Sequence, residues 1–264
     1  MRLRTFPPQV EQLAQLWRAQ VLTTSSWVQV GEPIPGAESE PFFVRSTDGF
    51  SGLAKPGTSQ PPVHRHPRAA HEKIAADLAY ELGLPVPPVI LWRSGRPGMS
   101  ISALAFPRAL PWGAIPPSMG GQLLPRLAPV ASAMAAFDSW LANTDRQNDG
   151  NLLLSEDDTV TPPVLRVAYL DFANSMTYRW AQNQRWQLDD AVACYPDRIP
   201  VDETSLRATL QEIEQFPRTT IEEIVTRIPE DFLSVAHRTT ILDGLLHRQS
   251  RVRGMMATVY PGIP

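Results

Sequence analysis

Cysteine is nearly absent: Cys194 is the single thiol in a chain of 264 residues. One thiol excludes an intramolecular disulfide and a cysteine-type zinc site, and it makes a reducing, cytoplasmic setting the expectation. An excess of either charge is missing as well. Net charge is -3 and the pI is near 6.0. That argues against a general nucleic-acid binder, which presents a basic face. Long apolar runs are lacking too. No segment is long and apolar enough to span a bilayer, and the basic start Met1–Arg4 leads into no apolar signal core. An integral membrane protein is therefore not expected. No internal repeat is present.

Apolar residues make up 43% of the chain and charged residues 19%. Such a composition folds, and the length gives ample interior for one large domain or two lobes sharing a core. Proline is abundant, with 27 residues, several in pairs such as Pro61-Pro62, Pro87-Pro88, Pro116-Pro117 and Pro162-Pro163. The pairs mark many rigid connections rather than one linker.

Helical spacing of Val10, Leu13, Ala14, Trp17 and Val21 predicts a helix over 9–21. A short strand at 27–30 precedes a hairpin of 41–44 and 50–55, with Asp48-Gly49 as its turn signal. The second arm ends in Gly52-Leu-Ala-Lys55, where a lysine closes an otherwise apolar run. A basic, His-rich loop with His64, Arg65, His66, Arg68 and His71 follows, read as solvated because no Cys or acid pattern joins its histidines. Residues 72–82 form a helix with Ile74, Ala75, Leu78, Ala79 and Leu82 on its apolar face, stopped by Gly83. Glu72 falls in its first turn, where it can meet Lys55 or simply favour the helix dipole. Strands at 86–92 and 100–105 come next, and 103–108 is the candidate crossing between lobes. Residues 110–129, rich in Pro and Gly, read as irregular.

The helix 130–141 delivers a polar loop, Asn143-Thr-Asp-Arg-Gln-Asn-Asp-Gly-Asn151. It is followed by a hairpin with arms 151–154 and 165–170 that ends at Asp171. An Asp, a downstream Asn and a strand-borne acid are what phosphoryl transfer uses: one Asp meets the nucleophile, while the Asn and the second Asp hold magnesium. An aromatic stretch, 178–186, comes before four helices at 203–215, 220–227, 230–236 and 238–256. Arg248, Arg251 and Arg253 read there as a solvated face.

The ordered set resembles the HipA-like and phosphatidylinositol 3/4-kinase-like branch of the protein-kinase fold. The matching pieces are the strand lysine of Gly52-Leu-Ala-Lys55, the acid-led helix from Glu72 to Leu82-Gly-Leu-Pro-Val-Pro87, the Asn143-Thr-Asp-Arg loop and Leu170-Asp-Phe172. The resemblance covers roughly 42–176. It implies an α+β, two-lobed fold, with a small antiparallel-sheet N-lobe bearing one main helix and a mostly helical C-lobe. The expected divisions are a helical extension at 1–24, the N-lobe at 25–106 and the C-lobe at 107–264.

The resemblance also implies an ATP- and magnesium-dependent phosphotransferase. Lys55 would contact the phosphates and Glu72 would orient it. Ala103 and Phe106 would lie at the adenine. Asp145 would be the catalytic aspartate, Asn151 and Asp171 would bind Mg2+, and Arg146 would brace the loop. The acceptor would be a protein Ser or Thr hydroxyl, with a lipid headgroup as the other choice. Two departures stand out: Gln147 replaces a common His, and Asn151 is six positions after Asp145 where the family has five. Either the loop bulges or Asn148 takes part. A misplaced ligand would make the protein a nucleotide-binding pseudokinase acting as partner or scaffold. A metal phosphohydrolase using Asp145, Asp149 and Asp171 is a third reading. No glycine-rich phosphate loop is evident, and Asp48-Gly49 is the only candidate cap.

Overall fold

The computed structural model describes residues 3–36, 40–57, 67–94, 98–106, 109–143, 146, 148–157, 161, 163–176 and 199–262. Alternation of side chains along five short strands builds the first layer. β1 (Trp27–Val30), β2 (Phe42–Ser46), β3 (Ser51–Pro56), β4 (Val89–Trp92) and β5 (Met99–Ala103) form one antiparallel sheet in the order β1-β2-β3-β5-β4. Register fixes its two faces. Phe43 pairs with Leu53, Leu53 with Ser102, and Lys55 with Ser100, so these side chains share one side. Val44, Ala54, Ile101 and Ile90 share the other, where they pack with Leu13 and Trp17 of helix α1 (Pro8–Ala19).

Helix α2 (Arg68–Glu81) lies across β4 and β5. It has no polar face: every residue from Arg68 to Ala79 is buried. Alanines at 69, 70, 75, 76 and 79 let it approach the sheet closely. The second lobe begins with β6 (Leu110–Pro111), which joins β7 (Leu152–Asp157) and β8 (Val164–Tyr169) in a three-stranded sheet. Five helices complete it: α3 (Pro117–Trp140), α4 (Glu203–Glu214), α5 (Arg218–Thr226), α6 (Val235–Gln249) and α7 (Val252–Val259). One apolar core runs from α2 through α3 and the β7–β8 hairpin into α4–α7. Phe137, Trp140 and Phe172 interlock edge to face at its centre. Truncating any of them to Ala would cost about 3–5 kcal/mol. The lobes also meet at the β4–β5 connection. Arg93 pairs with Asp231, and a Cβ on Gly98 would sit 2.5 Å from the Phe232 ring.

The α+β, two-lobed architecture is the expected one; β1 occupies the expected 27–30, and β7 and β8 form the expected hairpin with longer arms toward its tip. Four local expectations are corrected. Residues 110–129 are not irregular, because α3 starts at Pro117 and runs through Pro125 and Pro129. A proline inside a helix frees the carbonyl four residues back at about 3 kcal/mol. Here those carbonyls belong to Gly121 and Pro125, both exposed to water, and burial of 127–141 outweighs the cost. Residues 230–234 make a turn, with the Phe232 and Leu233 amides bonded to Pro229 O; Ser234 then caps α6 by accepting from His237 N. The expected helix 238–256 is broken at Ser250-Arg251 into α6 and α7. Arg248 is not solvated. It is fully buried, and its guanidinium donates to the carbonyls of Ser139 and Trp140, the last residues of α3.

Candidate active site

The acid-led helix of the sequence starts one turn early. Because α2 begins at Arg68, Glu72 sits in the second turn and its carboxylate has left the helix end. It is 3% exposed and it has partners: Glu72 Oε1 lies 2.7 Å from Lys55 Nζ, and Oε2 accepts the Phe172 amide at 3.2 Å. A buried carboxylate requires such pairing. Lys55 Nζ also meets Asp171 Oδ1 at 3.0 Å. One ammonium thus joins β3, α2 and the segment after β8. Asp171 has φ +65°, a left-handed conformation that Asp adopts more readily than most residues. This twist turns the chain out of β8, lets Phe172 enter the core and holds the carboxylate toward Lys55. His71 Nδ1 lies 3.0 Å from Ala173 O, a second tie between α2 and this segment.

The charges follow from this packing. Burial disfavours the Lys55 ammonium, but Glu72 and Asp171 more than offset it and hold the lysine above its ordinary value. Burial keeps Glu72 above the usual carboxylate range despite the lysine. Burial also pushes Asp171 up, but Lys55 and Arg146 outweigh it and leave that carboxylate low, hence ionised near neutrality.

The polar loop hangs from a buried ion pair. Arg146 Nε and one terminal nitrogen grip both oxygens of Asp138 on α3, at 2.7 and 3.1 Å. Its other terminal nitrogen donates to the carbonyls of Leu170 at 2.7 Å and Asn151 at 3.2 Å. Asn143 donates to Asp138 at 2.9 Å. Arg146 therefore braces the loop against both hairpin arms, while its face covers the Tyr169 and Phe172 rings. Among the described residues of the loop, 149–151 form a 3-10 turn. Asn148 caps it by accepting from Gly150 N at 3.0 Å.

A cleft of about 850 Å³ opens between the five-stranded sheet and the β7–β8 hairpin. Phe43 and Leu53 line it from the sheet, Leu153 and Ala168 from the hairpin, and Ala103 and Phe106 along its side. Lys55, Asn148, Asn151 and Asp171 line its polar part. The expected residues Lys55, Glu72 and Asp171 are thus in direct contact, and Asn151, Ala103 and Phe106 share their cleft. Asp145 lies outside the described residues, as do Gln147, His64 and His66, and 178–186. The Asp48-Gly49 turn does not line the cleft. It closes the far end of the β2–β3 hairpin from Lys55, and Ser25 bonds Asp48 there. The connection that lines the cleft is β1–β2, through Ile34, Gly36 and Pro41. Sequence reasoning missed that connection, Asp138 and Arg68. Only Asp138 had a signal, as an acid within the apolar stretch Phe137–Leu141.

No family model matches the sequence, and no curated protein matches it. Solved structures do. The chain aligns with the Helicobacter pylori proinflammatory kinase CtkA at a TM-score of 0.63 and 13% identity, over 89% of this chain and 96% of that one. It aligns with the Golgi casein kinase with Mn/ADP bound at 0.51 and 11%, over 96% and 77%. The fold is protein-kinase-like. At these identities the likeness is one of fold alone, so chemistry in this kinase-like chain has to be argued from its own side chains. Among the described residues, no helix is long and apolar enough to cross a membrane, and no group of three or more His, Cys, Asp or Glu could hold a metal ion.

Proposed function

We propose that this protein is an ATP- and magnesium-dependent phosphotransferase acting on an alcohol. The observation that carries the reading is the buried ammonium of Lys55, held by Glu72 at 2.7 Å and Asp171 at 3.0 Å at the edge of a cleft large enough for a nucleotide. Lys55 would neutralise the phosphate chain, with Glu72 fixing its direction. The apolar walls at Phe43, Leu53, Leu153 and Ala168 suit a purine.

Asn151 and Asp171 offer oxygen donors on one cleft wall, and an ionised Asp171 fits a hard cation. Magnesium commonly takes one or two carboxylates and completes its shell with water and phosphate oxygens, so this small set suffices. Magnesium would supply charge neutralisation at the phosphates. Asp145 would orient the acceptor hydroxyl, and Arg146 would keep the loop in register. The manganese and ADP of the Golgi casein kinase structure support the pairing of nucleotide and divalent metal. The HipA-like sequence motifs favour a protein Ser or Thr as acceptor over a lipid headgroup, and the single cysteine favours a cytoplasmic setting. The engagement of both Lys55 and Asp171 in one cluster disfavours a metal phosphohydrolase, which has no use for the lysine.

The test is magnesium-dependent transfer of labelled γ-phosphate by the wild type, Asp145→Ala and Asp171→Asn, with a mixed protein substrate and with phosphoinositide vesicles. Transfer to protein by the wild type alone is expected. Nucleotide binding with equal, absent turnover in all three would overturn the enzyme reading and favour a pseudokinase, which the six-residue spacing from Asp145 to Asn151 makes the second reading.

A further inference from the structure

We infer that Arg68 is a second phosphate-binding cation of the cleft; the inference rests on the nucleotide reading above. Among the described residues that line the cleft, Lys55 and Arg68 are the two cations and Asp171 is the acid. Arg68 is the first residue of α2, four before Glu72. Residues four apart share a helix face, so Arg68 stands one turn from Glu72 on the side that faces Lys55. The Ala69 amide bonds Gly57 O at 3.4 Å, which anchors the start of α2 to the chain just beyond Lys55. The two cations therefore belong to the same end of the cleft.

Charge balance asks for both. Lys55 is shared between two carboxylates, and Arg146 is bound by Asp138 and two carbonyls. A triphosphate brings several negative charges into a partly dry site, and no glycine-rich loop is present to cradle them. Arg68 is only 6% exposed, so its interaction with phosphate would be weakly screened, and its planar fork suits two phosphate oxygens.

Calorimetric titration with Mg-ATP and with adenosine separates this role from a structural one. Arg68→Gln should weaken Mg-ATP binding by about 10–100-fold, the worth of one hydrogen bond to a charged group. It should leave adenosine affinity within about twofold, since that ligand lacks phosphates. Arg68→Lys should recover part of the loss, and it carries the same comparison if Arg68→Gln does not fold. An equal loss for both ligands, or no loss for either, overturns the inference and leaves the kinase reading standing. A wild type that binds neither ligand overturns both.

Discussion

Lys55 and Asp171 meet at 3.0 Å between Nζ and Oδ1, one from the end of β3 remote from its hairpin turn and the other from just beyond the C-lobe hairpin. Because Glu72 holds the same ammonium, its loss leaves two carboxylates facing one another. Lys55→Met is therefore expected to lower kcat/KM for ATP by about 10²–10³-fold, the usual scale for removing one preorganised charge. Glu72→Gln keeps a hydrogen-bonding oxygen and should lose less. Steady-state kinetics at varied ATP will check the order, and an equal or larger loss in Glu72→Gln would contradict the bridging geometry.

Backbone strain at Asp171 gives a test independent of activity. At φ +65° a side chain with a bare Cβ is disfavoured, whereas glycine is at ease. Asp171→Gly should be more stable than Asp171→Ala by about 1 kcal/mol, reversing the usual preference for alanine. Urea denaturation of the two variants measures the difference directly.

Arg248 should behave as a core residue despite its charge. It is fully buried and donates to the carbonyls of Ser139 and Trp140, at the end of α3 that leads into the polar loop. Arg248→Met should destabilise the fold by about 2–4 kcal/mol, through lost charge-assisted bonds to the Ser139 and Trp140 carbonyls. Arg248→Lys should recover only part of the loss, because it gives up the second nitrogen that donates to Ser139 O and a compact ammonium is costlier to bury than a guanidinium. Thermal unfolding of both variants is the check.

Lys73 predicts an unusual response to pH. Its ammonium is fully buried, bonded to Asp77 at 2.8 Å and to Trp17 O at 2.6 Å, with Arg227 and Arg18 nearby. Burial dominates and pushes it down to about 8. Between that value and the ordinary 10.5, the unfolded chain holds a proton that the folded chain has released. Stability from this residue therefore rises with pH across that window, by at most about 1.4 kcal/mol per unit. Urea titrations between pH 7.5 and 9.5 should see wild type gain on Lys73→Met; a constant gap would contradict the assignment.

The sequence was readable where local pattern and chemistry agree. The arms 151–154 and 165–170 are short apolar runs on either side of a polar tip, and the lysine, glutamate and aspartate could be ordered into one cluster because each punctuates an apolar element. Tertiary burial decided what pattern could not. Pro125 and Pro129 argue for a break, yet α3 continues because its buried half outweighs two freed, hydrated carbonyls. Arg68 and His71 look like part of a solvated basic loop, and only the packing of α2 against the sheet buries them. Arg248 carries no local mark, since its acceptors lie more than a hundred residues away. The cleft-lining connection went unseen because its two glycines, Gly31 and Gly36, are set among prolines and acids and do not make a phosphate-loop pattern.

The bond from Lys73 to Trp17 O has a practical side. The lysine follows Glu72 directly, so α1 and the glutamate are coupled through one peptide unit. A bulky fusion ahead of Phe6 would strain this contact together with the bonds of the Leu3 and Arg4 amides to Gly83 O, which tie the start of the chain to the end of α2. Trimming the chain to residue 25 would leave Lys73 with Asp77 but without its carbonyl acceptor, and would bare the sheet face that Leu13 and Trp17 cover, so the shortened protein would be a poor proxy for the whole.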